Sequence, residues 1–186
     1  MDATPLPLRQ QLRQCTAAAH ARLDASLDPW ADADAYRAYL RGMQAFLADV
    51  AAVLGDAHWL LAPLREPLAR DLGAGSAGAD PRAQPAGHAA PEPDPARRAG
   101  WEYVACGATL GAQLLLRQGT RLQSAGATLP LAFLTAFAGS GAWSRFLPTL
   151  ASIEHDPAAR ARACDAAVEA FESAAHALRR DRTLTA

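Results

Sequence analysis

Lysine is absent from this chain, so all eighteen basic residues are arginine. That excludes Schiff-base chemistry, pyridoxal phosphate attachment and Walker-type phosphate loops, each of which needs a lysine amine. Cysteine is scarce: Cys15, Cys106 and Cys164 are odd in number, far apart and set among alanines and leucines. They read as small core fillers rather than a disulfide framework or a zinc site. Net charge is nearly nil, with 18 basic against 19 acidic residues and a formal charge of −1. Arginines interspersed with acids give no field for nucleic acid or an anionic membrane, so neither is expected as a partner. No apolar run approaches the roughly 20 residues that span a bilayer, and the opening MDATPLPLRQ has no signal-like apolar core. A cytoplasmic location is the expectation. No strand alternation and no internal repeat appear anywhere.

What the sequence does contain is helical periodicity. Its 186 residues fit one domain with one core. Leu8, Leu12, Cys15 and Ala19 recur at steps of four and three, giving a first helix of about 18 residues that carries His20. Asp32 or Asp34 can cap a second helix holding Tyr36, Leu40, Met43, Leu47, Val50 and Leu54, closed by Gly55. A weaker segment around Leu60, Leu64, Leu68 and Leu72 is interrupted by Pro63 and Pro67, so short or kinked pieces are expected. From 73 to 99 glycine, alanine and proline dominate without periodicity, which reads as a long flexible loop. Next comes the helical run WEYVACGATLGAQLLLRQ. Pro130 then opens a segment with Phe133, Leu134 and Phe137, and glycines 139 and 141 precede Trp143, Phe146, Leu147 and Leu150. Asp156 and Pro157 begin a last helix with the stripe Ala161, Cys164, Val168, Phe171, Ala175 and Leu178 and a basic end.

Two places invite chemistry. Gly107 and Gly111 lie four residues apart on one helix face, each costing roughly 1 kcal/mol relative to alanine, so something must approach that backbone. Either another helix crosses there, or a flat ligand lies against the glycines. The other place is His20, beside an apolar stripe, which is either a boundary histidine or a metal ligand. Arg13 stands seven residues earlier on the same face, where a guanidinium could meet an anionic group of something bound at His20.

Together these segments resemble the haem oxygenase family, especially its small bacterial members that make biliverdin. LRQCTAAAHARLDA is similar to the family's opening helix, with Thr16 four positions before His20. YVACGATLGAQLL resembles its distal helix, with Gly107, Gly111 and the small Ala112, while AYRAYLRGMQAFL and FLTAFAGSGAWSRFLPTL fit the second helix and the segment after the distal one. The likeness runs over 8–178 outside the proline-rich loop. It implies an all-α, single-domain helical bundle with haem between the first and distal helices. It implies His20 as iron ligand, Gly107 and Gly111 as a distal wall that admits O2, and Arg13, with Arg145 more loosely, as propionate contacts. Thr16, Ala108 and Ala112 would complete the haem surroundings. Haem would be cofactor and substrate, opened to biliverdin, carbon monoxide and ferrous iron with electrons from an external reductase or ferredoxin.

The chain departs from the family pattern beside the first glycine. A polar residue, aspartate or serine, usually follows it, where this chain has Ala108; Thr109 stands next as a polar replacement. The preceding residue, often glutamate in bacterial relatives, is Cys106. These changes motivate an alternative, a haem-binding protein without turnover on the same fold, and a purely structural helical protein is a further one. A di-iron carboxylate oxidase needs several inward glutamates and Glu-x-x-His pairs. Here six glutamates are sparse, and Glu172 with His176 is spaced by four. His58, His88, His155 and His176 read as surface or loop residues. Trp30, Trp59, Trp101 and Trp143 read as packing anchors, while Phe46, Phe137 and Phe171 could wall a pocket or fill the core.

Overall fold

A computed structural model describes residues 6–73 and 94–180. Every regular element among them is helical: α1 (Leu8–Ser26), α2 (Ala33–Leu54), a 3-10 turn (Ala62–Leu64), α3 (Arg65–Asp71), α4 (Pro95–Ser124), α5 (Ala132–Ala138), α6 (Ala142–Ala151) and α7 (Pro157–Arg180). The long helices α1, α2 and α4 all pack on α7, with α5 and α6 folded against α4.

Local chemistry sets the boundaries. Asp32 accepts a hydrogen bond from the Ala35 amide at 2.7 Å and so caps α2, and Gly55 ends it with φ of 90°, a conformation that favours glycine. Pro63 and Pro67 break the following segment into a 3-10 turn and a helix of seven residues. Pro67 falls in the first turn of α3, where its missing donor would have no helical partner. The stretch read as a loop over 73–99 lies largely outside the described residues, but its end is already helical. Asp94 caps α4 by accepting from the Ala96 amide, and Pro95 occupies the first turn. Asp156 caps α7 through the Ala158 amide at 2.9 Å. Pro130 precedes α5 without entering it; its carbonyl accepts from the Tyr36 hydroxyl at 2.8 Å, and Asp71 caps the helix through the Phe133 amide.

The buried face of α7 is rotated from the stripe read in the sequence. Ala163, Ala167, Ala170 and Ala174 point inward, whereas Ala161 is exposed. Alanine is too small to dominate a hydrophobic count, yet it is what lets the other helices approach α7 closely. The closest approach is at Gly100 of α4, where a Cβ would lie 2.4 Å from the Ala163 carbonyl oxygen and 2.8 Å from the Ala167 nitrogen. Phe46, Phe133, Phe137 and Phe146 are among the largest fully buried side chains.

Arg160, 8% exposed, ties the starts of α1 and α7 together. Its guanidinium donates to Gln11 Oε1, the Glu154 carbonyl and the Leu6 carbonyl. Glu154 in turn accepts from the Leu8 amide at 3.0 Å, capping α1 from outside it. No helix among the described residues is long and apolar enough to cross a membrane.

Gly100→Ala forces a methyl against backbone that has no rotamer to change, so a loss of about 1–3 kcal/mol is expected in denaturant unfolding. An unchanged midpoint would show that the crossing tolerates expansion.

Candidate functional site

A cavity of about 920 Å³ lies between α1 and α4, closed at the back by α2 and α7. Its volume falls within the range of small-molecule and cofactor sites. One wall is α1, which contributes Arg9, Arg13, His20 and Asp24. The opposite wall is the stretch of α4 that bears Gly107, Ala108, Gly111 and Ala112. Tyr39, Phe46, Phe137 and Phe171 fill the rest with aromatic surface, so the phenylalanines that the sequence left between core and pocket serve both.

The glycine pair has no helix crossing it. A Cβ at Gly111 would meet nothing within 4 Å, and one at Gly107 only Trp143, at 3.7 Å. Close helix packing does explain Gly100 and Gly42, whose added Cβ atoms would strike α7, but not these two. The bare backbone at 107 and 111 faces the cavity.

His20 belongs to the wall facing it. Its Nδ1 lies 2.9 Å from Asp24 Oδ2, one turn along α1, and its ring meets Phe171 edge-on at 5.4 Å. The cavity is open at this end, so the side chain is 59% exposed while lining it. With a carboxylate at that distance from Nδ1, Nε2 is the ring nitrogen left for a metal. Arg13 lines the same wall roughly 10 Å earlier along the helix axis. Arg9, one turn further back, lines it too, with its guanidinium 5.6 Å from the Trp143 ring centroid. The cavity therefore carries cationic side chains at one end and an imidazole with a neighbouring carboxylate at the other.

Three expected site residues are turned elsewhere. Arg145 packs over the Trp59 ring at 4.2 Å and does not line the cavity. Trp143, two residues before it on α6, does, and two residues turn a helix by about 200°, so the two side chains face opposite ways. Trp143 is thus a wall of the site rather than only a packing anchor. Thr16, 2% exposed, donates to the Leu12 carbonyl at 2.7 Å from the buried stripe of α1, where it also hydrogen-bonds Tyr103. Burial raises the Tyr103 hydroxyl above the ordinary phenol range against the pull of that bond and of Arg13 and Arg9. Thr109, 2% exposed, donates to the Cys106 carbonyl at 2.6 Å on the face of α4 away from the cavity. It cannot stand in for a polar side chain at Ala108.

Sequence reading missed a buried pair. His58 is not a surface residue: its Nε2 lies 2.7 Å from Glu102 Oε1, both side chains being less than a tenth exposed. The Leu60 amide approaches Nδ1 at 3.4 Å, which makes Nε2–H the donor to the carboxylate. The pair joins the loop after α2 to α4 five residues before Gly107. Burial, and next the Glu102 carboxylate, push the Cys106 thiol up to about 12, which keeps it protonated. No sequence signal marks this pair, because a lone histidine in a loop carries no periodicity. Among the described residues no group of three or more histidine, cysteine or acidic side chains converges as a metal site, so a di-iron centre has no donor set there.

No protein-family model matches the chain, and no curated protein does. Among solved structures it is similar to the haem oxygenase of Neisseria meningitidis with nitric oxide and carbon monoxide bound. The TM-score is 0.66 over 95% of this chain and 92% of that one, at 23% identity. The fold is therefore the all-helical one of a haem oxygenase.

Two stability outcomes follow. His58→Ala strands the Glu102 carboxylate in the core and is expected to cost about 3 kcal/mol in urea unfolding; a loss below about 0.5 kcal/mol would mean that water replaces the ring. Gly111→Ala, with open space around it, is expected to raise stability by about 0.5–1 kcal/mol through helix propensity. A fall instead would reveal packing against that backbone.

Proposed function

We propose that residues 1–186 form one domain that acts as a haem oxygenase. It would take haem between α1 and α4 and open it to biliverdin with O2 and electrons from an external reductase or ferredoxin. One observation carries the reading. An imidazole beside a carboxylate, His20 with Asp24, faces a helix stretch bearing the bare backbone of Gly107 and Gly111 across one cavity of about 920 Å³.

The residues present suit the group. His20 would hold the iron through Nε2, with Asp24 beside Nδ1; this histidine ligand lacks the strong push of a cysteine thiolate toward O–O cleavage. Arg13 and Arg9 would pair with the propionates through charge-assisted hydrogen bonds, Arg9 taking the part that sequence alone gave to Arg145. When bound, haem is both cofactor and substrate, its own ring being cleaved to give biliverdin, carbon monoxide and ferrous iron. The small residues at 107, 108, 111 and 112 leave room for dioxygen, and the α4 backbone can hold ordered water beside it. Leu110 and Leu114, 45% and 52% exposed, flank the open edge and would be partly covered by a bound porphyrin.

A second reading has its own observation. With Thr109 turned away, Ala108 in the wall and Cys106 buried and protonated, Tyr103 is the titratable side chain that α4 presents to the cavity, and burial raises its hydroxyl. A haem-binding protein that turns over slowly or not at all fits that wall, because proton delivery then rests on water and on a phenol held above its ordinary range.

Haem titration separates these readings. Wild type should give a sharp Soret band with one equivalent of haem, and His20→Ala should lose that band or shift it to that of weakly held haem. Gly111→Ala, although more stable, should bind haem at least about tenfold more weakly, a difference of about 1.4 kcal/mol. Adding ascorbate or a reductase system in air should then yield biliverdin absorbance with wild type. Tight binding without biliverdin would establish the non-catalytic reading, and absence of a Soret band would defeat both.

A further inference from the structure

The seam between α1 and α7 holds a thiol pair that the cavity does not use. The two helices run side by side in the same direction. Near their starts Arg160 Nε donates to Gln11 Oε1 at 2.8 Å. Further along, Phe171 meets the His20 ring at 5.4 Å. Between these contacts, in matching register, stand Cys15 and Cys164, each four residues past Gln11 and Arg160 and so on the same two facing sides, with Cys164 among the groups that raise the Cys15 thiol. Both are free thiols. Cys15 is exposed and also donates to the Leu12 carbonyl at 3.2 Å, while Cys164 is 8% exposed. The third cysteine, Cys106, is fully buried on α4.

Disulfides need Cβ vectors that converge across roughly 3.5–4.5 Å. Two cysteines one turn past a facing pair of side chains on parallel helices are placed for such convergence. Sequence reading treated them as unrelated core fillers, since 149 positions separate them in the chain and only the fold brings them together.

We propose that Cys15 and Cys164 form a reversible disulfide that clamps α1 to α7 when the chain meets a peroxide. The exposed Cys15 sulfur, as thiolate, attacks one peroxide oxygen. The O–O bond breaks, an S–O bond forms, and the departing hydroxide takes up the thiol's proton as water. Cys164 then loses its proton and attacks the Cys15 sulfenic sulfur. An S–S bond forms, the S–O bond breaks, and the second oxygen leaves as water. In sum, two thiols and one hydrogen peroxide give one disulfide and two waters, the thiols supplying two electrons and the peroxide accepting them. Desolvation, with the neighbouring Cys164 next, pushes the Cys15 thiol up to about 12. The reactive thiolate is therefore scarce at neutral pH and closure is slow.

The clamp joins two walls of the cavity, because α1 carries Arg9, Arg13 and His20 and α7 carries Phe171 and Leu178. The inference does not depend on what fills that cavity. It also separates this pair from a sensor thiol, whose low pKa makes its oxidation fast.

The test treats the full chain with excess hydrogen peroxide, alkylates the remaining thiols and maps the peptides by mass spectrometry. A Cys15–Cys164 linked peptide is expected from the monomer, with loss of both free thiols, their return on dithiol treatment, and Cys106 still alkylated after denaturation. Cys164→Ser should stop at a Cys15 sulfenic acid that dimedone traps. Cys15→Ser, at an exposed position where the fold is safe, should leave Cys164 reduced. Hydrogen exchange of the α1 amides should slow in the oxidised wild type alone. Over-oxidation of Cys15 to sulfinic acid in wild type without a linked peptide would overturn the proposal, as would crosslinks only between chains. So would equal loss of the Cys164 thiol in Cys15→Ser.

Discussion

A helix face without side chains is the constraint around which the rest of this structure is arranged. Two glycines in the middle of a 30-residue helix forgo roughly 1 kcal/mol each in helix propensity. Here no packing contact accounts for them, since the space above Gly111 is open. The cost is offset elsewhere. α4 is held by Gly100 against α7, by the His58–Glu102 pair, and by α5 and α6 along its flank. A helix secured along its other sides can leave one stretch bare, and that stretch becomes one wall of a cavity.

Facing the bare stretch is a helix whose polar groups are ordered along its length. Arg9, Arg13, His20 and Asp24 all lie on the cavity side of α1, with the cationic groups at the start and the imidazole and its carboxylate toward the end. One rigid element thereby fixes both the spacing and the chemistry of two subsites. The node at Arg160 and the cap from Glu154 anchor the start of that element to α7, which is why its register can be held without a larger apolar stripe of its own.

Much of this was legible in the sequence, and the misses share a physical cause. Caps at Asp32, Gly55 and Asp156 and the breaks at Pro63 and Pro67 are local chemistry, and they appear in the structure where the residues stand. His20, Arg13 and the two glycines, read by their helical spacing, line one cavity, because helical spacing is itself geometry. Thr16, Thr109 and Arg145 failed for another reason. A motif fixes a position along the chain, but whether a side chain faces the cavity or the core depends on how neighbouring helices rotate each element. Thr109 lies only about 100° from Ala108 around α4, and that angle separates wall from core. The buried face of α7 was misread because alanine carries little signal, and the His58–Glu102 pair because it joins segments far apart in sequence.

The imidazole at position 20 is what would bind the iron of a porphyrin in this cavity. Resonance Raman spectra of the reduced, haem-loaded chain read that bond directly. An iron–histidine stretch in the range of a neutral imidazole, shifted when histidine is labelled with nitrogen-15 and absent from His20→Ala, is the expected result. A spectrum with no such mode, or one that survives loss of His20, would contradict the account.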